Sequence, residues 1–230
     1  MKKILTTLAI SGLTVAAFAQ GVVNWTGAAG YVIVETNSTA FSSFTPHGGA
    51  TPTGGAVGNV AANTSSLYYF ELLVSSTASS VPTTAANLGS WLDTGLAAGN
   101  GASANGRILQ LNGTTASVAN NLPAGATLND VLVGWSANLG STWSMASSNL
   151  VNWASAPMPG AFFGVSALGN IQGIASPGPG NQAFGTGAGQ ILNQSPNQMQ
   201  LDSLYNVPEP GTLALAAIAG ASLLLFRRKK

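Results

Sequence analysis

The sequence predicts an all-β fold for residues 20–206, an antiparallel β-sandwich or jelly-roll-like arrangement, on three observations. The apolar runs are short and rich in Val, Ile, Tyr and Phe. Gly, Asn, Ser and Pro, the turn formers, separate them. Helical periodicity surfaces in a single stretch. Such a pattern describes strands that bury a face against another sheet and reverse direction at tight turns.

In chain order, residues 22–25, 31–34, 67–74, 108–111, 131–135 and 162–165 are the predicted strands, each an apolar run bounded by turn residues. Tyr69, Phe70, Leu72, Val133, Trp135 and Phe163 are the core candidates among them. The one helix starts after Ser141, a candidate N-cap, because Trp143, Ala146, Leu150 and Trp153 recur at roughly helical spacing. Residues 36–66, with Thr45-Pro46-His47-Gly48-Gly49, and residues 175–190, with Ser176-Pro177-Gly178-Pro179-Gly180, are predicted long loops. Loops of that length are usually functional or disordered. Residues 201–206 are predicted to form a last edge strand and a tether. No internal repeat marks a solenoid or propeller. Nearly 190 residues are enough to bury a core, so one domain is the economical organisation.

Composition narrows the functional classes. The chain is 46% hydrophobic but only 6% charged, against a globular average near ~25% charged, so its surface is built from Ser, Thr, Asn, Gln and Gly. Between residues 20 and 206 the only cation is Arg107, set against Glu35, Glu71, Asp93, Asp130 and Asp202, which gives that segment a net charge of −4 although the whole chain carries +1. One cation cannot neutralise a row of phosphates, which excludes nucleic acid as a partner and an anionic-membrane surface role. Cysteine is absent, so neither disulfides nor thiolate chemistry contributes and the core alone holds the fold.

Both ends carry targeting patterns. Lys2 and Lys3 precede an apolar stretch over residues 4–18, and Ala17-Phe18-Ala19 before Gln20 fits an A-x-A cleavage site. Residues 1–19 therefore read as a secretory signal peptide, with signal peptidase cutting at Ala19 and Gln20. At the other end stand Val207-Pro208-Glu209-Pro210, an apolar run over residues 211–226, and the basic anchor Arg227-Arg228-Lys229-Lys230. A helix of about 16 residues spans ~24 Å, which local thinning and snorkelling cations extend to a ~30 Å hydrocarbon core. The positive-inside rule holds the four cations in the cytoplasm and puts residues 20–206 on the other face.

Pro-Glu-Pro, apolar helix and basic end, in that order, resemble the PEP-CTERM sorting signal that exosortases of Gram-negative bacteria process. The resemblance covers residues 207–230, about a tenth of the chain. An ordinary tail anchor preceded by a chance Pro-Glu-Pro is the alternative. Under either reading Pro208 and Pro210 remove backbone donors and favour an extended strip that a protease can engage.

Catalytic patterns are sparse. His47 is the only histidine, so a His-based metal site or a Ser-His-Asp triad would have to be built around a loop residue; a solvated loop histidine is the plainer reading. Gly164-Val165-Ser166-Ala167 is followed by Leu168 and fails the G-x-S-x-G elbow. Gly99-Asn100-Gly101 with Ala104 fits a loose dinucleotide fingerprint, but no βαβ pattern surrounds it, and a turn is predicted. Glu35 ends a predicted strand and Glu71 lies within one, where outward-facing positions explain both. Asp93 or Asp130 could hold calcium with backbone carbonyls, but no D-x-D-x-D run is present. The N-x-S/T triplets at Asn24, Asn37, Asn63, Asn112 and Asn193 reflect composition. Trp25, Trp91 and Trp135 sit beside predicted strands as core residues; Trp143 and Trp153, in more polar surroundings, are the candidates for stacking on sugar rings.

The expectation is an exported, non-enzymatic β-rich protein with no cofactor and no metal. The PEP-CTERM resemblance implies exosortase as partner, a membrane-anchored precursor, and a cell-surface or extracellular-matrix role linked to exopolysaccharide and biofilm. A carbohydrate-binding module is the alternative, and a polysaccharide hydrolase with a carboxylate pair about 5 to 10 Å apart is a third reading.

Overall fold

The computed structural model describes residues 20–26, 34–40, 56–59, 67–82, 84–101, 108–153, 158–185, 187–191 and 199–204. Its centre is a pair of long antiparallel strands, β4 (Tyr68–Ser75) and β8 (Thr127–Ser136), in register from Tyr68↔Ser136 to Ser75↔Asn129. Both strands are apolar without strict alternation because both faces are covered. Phe70, Leu72, Val74 and Leu132 enter one hydrophobic cluster; Leu73, Val131, Val133 and Trp135 enter another.

The remaining strands are β1 (Gln20–Asn24), β2 (Val34–Ala40), β3 (Ala56–Asn59), β5 (Leu92–Asn100), β6 (Ile108–Gln110), β7 (Ser117–Pro123), β9 (Phe162–Val165), β10 (Gly169–Gln172), β11 (Asn181–Gln182) and β12 (Met199–Ser203). They form a nine-stranded sheet ordered β3-β2-β12-β9-β8-β4-β5-β6, with β10 also on β8, and a three-stranded sheet ordered β11-β1-β7. Val23 of the small sheet and Trp25 just after β1 share the first cluster with the large sheet, and the Trp25 ring lies 4.9 Å from the Phe184 ring. Gly134 leaves room for side chains that rise from neighbouring strands of the large sheet. A Cβ there would lie 2.7 Å from the Phe70 ring and 3.1 Å from Leu201, so only glycine fits.

The opposite face of the large sheet is capped by α1 (Trp143–Leu150) and by a 3-10 turn at Ala85–Ser90. Trp143, Ala146 and Leu150 point inward, as their spacing predicts. The cap is Thr142 rather than Ser141: its backbone is extended and its hydroxyl accepts from the Met145 N–H at 3.4 Å. Replacing Thr142 with Ala is expected to lower stability by about 0.5–1 kcal/mol, the cost of a lost N-cap, in urea denaturation.

The all-β expectation holds, and residues 162–165 are a strand as predicted. Several expectations need correction. Pairing is not wholly antiparallel: β1 with β11 and β2 with β12 run parallel, since these partners lie far enough apart in sequence to return in the same direction. Residues 36–40 and 56–59 of the predicted first loop are strand, as are 181–182 of the second. Gly99 and Asn100 end β5 instead of forming a turn, and the Asn100 carbonyl oxygen of the side chain accepts from the Leu67 and Tyr68 N–H groups. The last strand is interior, between β2 and β9, where Leu201 and Asp202 are buried.

Candidate functional site

A polar concavity lies where the ends of β8, β10 and β11 meet the turn at residues 187–190, and it encloses about 300 Å³. Thr127, Asn170, Gln172, Asn181, Gln182 and Gln190 line it, with Ile171 and Ala188 as the apolar part. Backbone pairing sets the walls: Gln172 faces Thr127 across β10 and β8, and Asn181 follows β1 from Val23. Side chains tie the walls together. Asn181 Nδ2 donates to the Gln172 carbonyl at 3.1 Å, and Gln190 Oε1 accepts from the Gly187 N–H at 2.7 Å. The Asn170 N–H donates to the Gly189 carbonyl at 2.7 Å. Gly189 has φ +81°, and a Cβ on it would collide with the Asn170 side chain, so glycine is required for this turn to reach β10. None of the lining residues ionises.

A second concavity of about 360 Å³ separates α1 from the 3-10 turn, lined by Leu88, Trp91, Trp143, Ser147, Ser148 and Val151 among others. Its aromatic residues serve the core. Trp143 is only 7% exposed, lies 5.7 Å from Trp135 and stacks on Phe163 at 6.4 Å. This corrects the expectation that Trp143 offers a sugar-stacking face; Trp153 is half-buried against the same cluster. Trp25, Trp91 and Trp135 are buried as predicted, and Trp135 Nε1 donates to the Gly140 carbonyl at 2.7 Å.

Glu71 is the second correction. It does not face outward: both faces of β4 are covered, and the residue is 5% exposed with Oε1 unpartnered. Burial, followed by a hydrogen bond and charge repulsion from Asp93, raises its carboxyl to about 9, so it holds a proton at neutral pH. It reaches Asp93 at a β-bulge, where the β4–β5 register shifts between Glu71 and Leu73. Asp93 is exposed and accepts from the Gly95 N–H at 2.6 Å. Neither acid lines either concavity. Asp130 is fully buried, neither carboxyl oxygen has a partner, and burial pushes it well above the usual carboxylate range. Glu35 lies near the start of β2 instead of at a strand end. Among the described residues no three His, Asp or Glu side chains gather as a metal site. Ser166 is structural: its hydroxyl accepts from the Leu132 N–H at 2.9 Å and donates to the Ala167 carbonyl at 2.8 Å.

The chain enters its C-terminal segment from the middle of the large sheet, where buried Leu204 donates its N–H to the Ala161 carbonyl at 2.8 Å. Just beyond, residues 206–229 match the family model for the PEP-CTERM protein-sorting motif. The chain carries a PEP-CTERM sorting motif. The PEP-CTERM match indicates an exported, membrane-anchored precursor that an exosortase sorts. No curated protein and no solved structure matches the chain.

Val207, Pro208, Glu209 and Pro210 of the motif, its basic anchor Arg227 to Lys230, and the signal residues Ala17 and Ala19 lie outside the described residues, as do His47 and the predicted spanning helix over 211–226. Among the described residues no helix is long and apolar enough to cross a membrane. Gln20 opens β1, exposed, with its amide donating to Asn120 Oδ1 at 3.2 Å. Sequence reasoning missed the amide-lined cleft. Its one local signal is the recurrence of Asn and Gln at positions 170, 172, 181, 182 and 190 within an otherwise Gly- and Pro-rich stretch.

Proposed function

We propose that this chain is a non-enzymatic structural protein of the cell surface or extracellular matrix of a Gram-negative bacterium, associated with exopolysaccharide in biofilm. The PEP-CTERM match at residues 206–229 carries the reading. Residues 1–19 act as the signal peptide, 20–206 as the β-rich passenger and 207–230 as the sorting signal. The two sheets sharing one hydrophobic cluster support a sandwich-like passenger.

Chain geometry fits the sorting role. Leu204 is pinned in the passenger, and Pro208 follows four residues later, so at ~3.3–3.6 Å per residue the processing strip stands within ~14 Å of the folded domain. The exosortase therefore works close to the passenger, on a segment in which two prolines withhold backbone donors. The experiment that tests the function is immunogold localisation in a host with and without its exosortase. Matrix labelling that disappears in the mutant supports the proposal; unchanged labelling overturns it.

Signal peptidase is expected to leave Gln20 as the first residue, since Ala17 and Ala19 occupy the small-residue positions it requires. N-terminal mass spectrometry of exported protein checks this, and a retained Met1 contradicts it. The carbohydrate-binding alternative draws support from the uncharged amide cleft and not from the tryptophans.

A further inference from the structure

We propose that the cleft lined by Thr127, Asn170, Gln172, Asn181, Gln182 and Gln190 binds a neutral glycan segment. The proposal deepens the exopolysaccharide association above and rests on that reading for its biological setting. Its chemical basis is separate.

The lining excludes most ligand classes. Phosphate, sulfate or uronate needs a cation, and a metal or ammonium needs a carboxylate; the cleft offers neither. What it offers is five primary amides and one hydroxyl, groups that each donate and accept. A sugar hydroxyl also donates and accepts, so vicinal hydroxyls pair with a carboxamide through two hydrogen bonds. The amides of Asn170 and Gln182 and the Thr127 hydroxyl make no hydrogen bond among the described residues, which leaves them available. Ile171 and Ala188 supply a small apolar patch for the C–H face of a ring.

Shape and rigidity agree. The volume of about 300 Å³ lies at the small end of ligand pockets, roughly 300–1,000 Å³, the scale of a short saccharide segment. A peptide is the competing neutral ligand, but peptide recognition relies on a free strand edge or on apolar pockets for alternate side chains. Here the one edge strand at the cleft, β11, is only two residues long, too short to template a peptide strand, and the lining is nearly all polar. The walls are fixed beforehand by the Asn181–Gln172 and Gln190–Gly187 hydrogen bonds, so little ordering is needed on binding. An open, neutral site of this kind binds a single segment at about 0.1–10 mM. Many protein copies along one polysaccharide chain raise the effective affinity by avidity.

The test is a titration of the full-length protein in detergent micelles, followed by NMR of side-chain amides. The probes are maltohexaose, cellohexaose and mannohexaose, with a neutral Gly-Ser peptide as the competing class. At least one hexaose is expected to shift the amide signals of Asn170, Gln172, Asn181, Gln182 and Gln190 saturably. Gln182→Ala and Asn170→Ala are each expected to weaken that binding about 3- to 10-fold, while Ser148→Ala, in the other concavity, leaves it unchanged. No shift at these residues with any hexaose overturns the proposal, as does binding that both cleft variants retain in full, or a response to the peptide alone. The mapping on the unsubstituted protein stands even if a variant misfolds. Both cleft variants should be sorted and processed like the parent. Lost glycan binding in parent protein that is still sorted normally therefore rejects the cleft and leaves the sorting function standing.

Discussion

Replacing Glu71 with glutamine is expected to stabilise the protein at pH 8 by about 2–4 kcal/mol, or roughly 4–16 °C in midpoint for a domain of this size. The cause is a proton. In the folded chain Glu71 is buried beside Asp93 and its carboxyl is raised from 4.5 to about 9. Between those values the folded state holds a proton that the unfolded state releases. Stability is thus full below about pH 4.5 and declines as pH rises towards 9, by at most ~1.4 kcal/mol per unit from this group. Glutamine keeps the shape and can donate to Asp93 without titrating. Asp130 is raised in the same direction by burial, so the variant flattens the curve partly. Urea denaturation of the full chain from pH 5 to 9 reads the slope. An unchanged slope in Glu71→Gln would mean that the carboxyl is ionised in the folded state.

The second large effect concerns the tail. Changing Pro208 and Glu209 together to Ala destroys the motif but leaves the apolar run and its cations, so insertion is retained while processing stops and full-length precursor accumulates in the membrane. Neutralising Arg227, Arg228, Lys229 and Lys230 acts at the opposite end. It removes the charges that pin the C-terminus inside, and the precursor becomes mis-oriented or poorly processed. Fractionation and immunoblotting distinguish the two variants, because the first keeps every passenger outside the membrane whereas mis-oriented copies of the second do not.

The parts of this molecule that were legible in its sequence are those specified locally. The sorting motif places proline strip, apolar run and cations consecutively, and residues 206–229 match its family model. Strands such as Phe162–Val165 and the apolar body of Tyr68–Ser75 declare themselves through bulky aromatic and aliphatic residues. Leu92–Asn100 and Ser117–Pro123 do not, because Gly, Ala, Asn and Ser acquire strand geometry there from their neighbours. Glu71 misled for a related reason: a carboxylate in an apolar run normally marks a solvent face, whereas here α1 and the 3-10 turn help to cover that face of the sheet. The amide cleft draws on β8, β10, β11 and a glycine turn, and no spacing rule joins those segments before they fold.

Sorting by exosortase requires the anchor to be temporary, and the C-terminus of the mature surface protein tests this most directly. Mass spectrometry of that protein, purified from a host with a working exosortase, is expected to show a chain that ends within or close to residues 207–210 and lacks Phe226 and the basic residues after it. Mature surface protein that still contains Phe226 would contradict the account and make the C-terminal apolar run a permanent anchor.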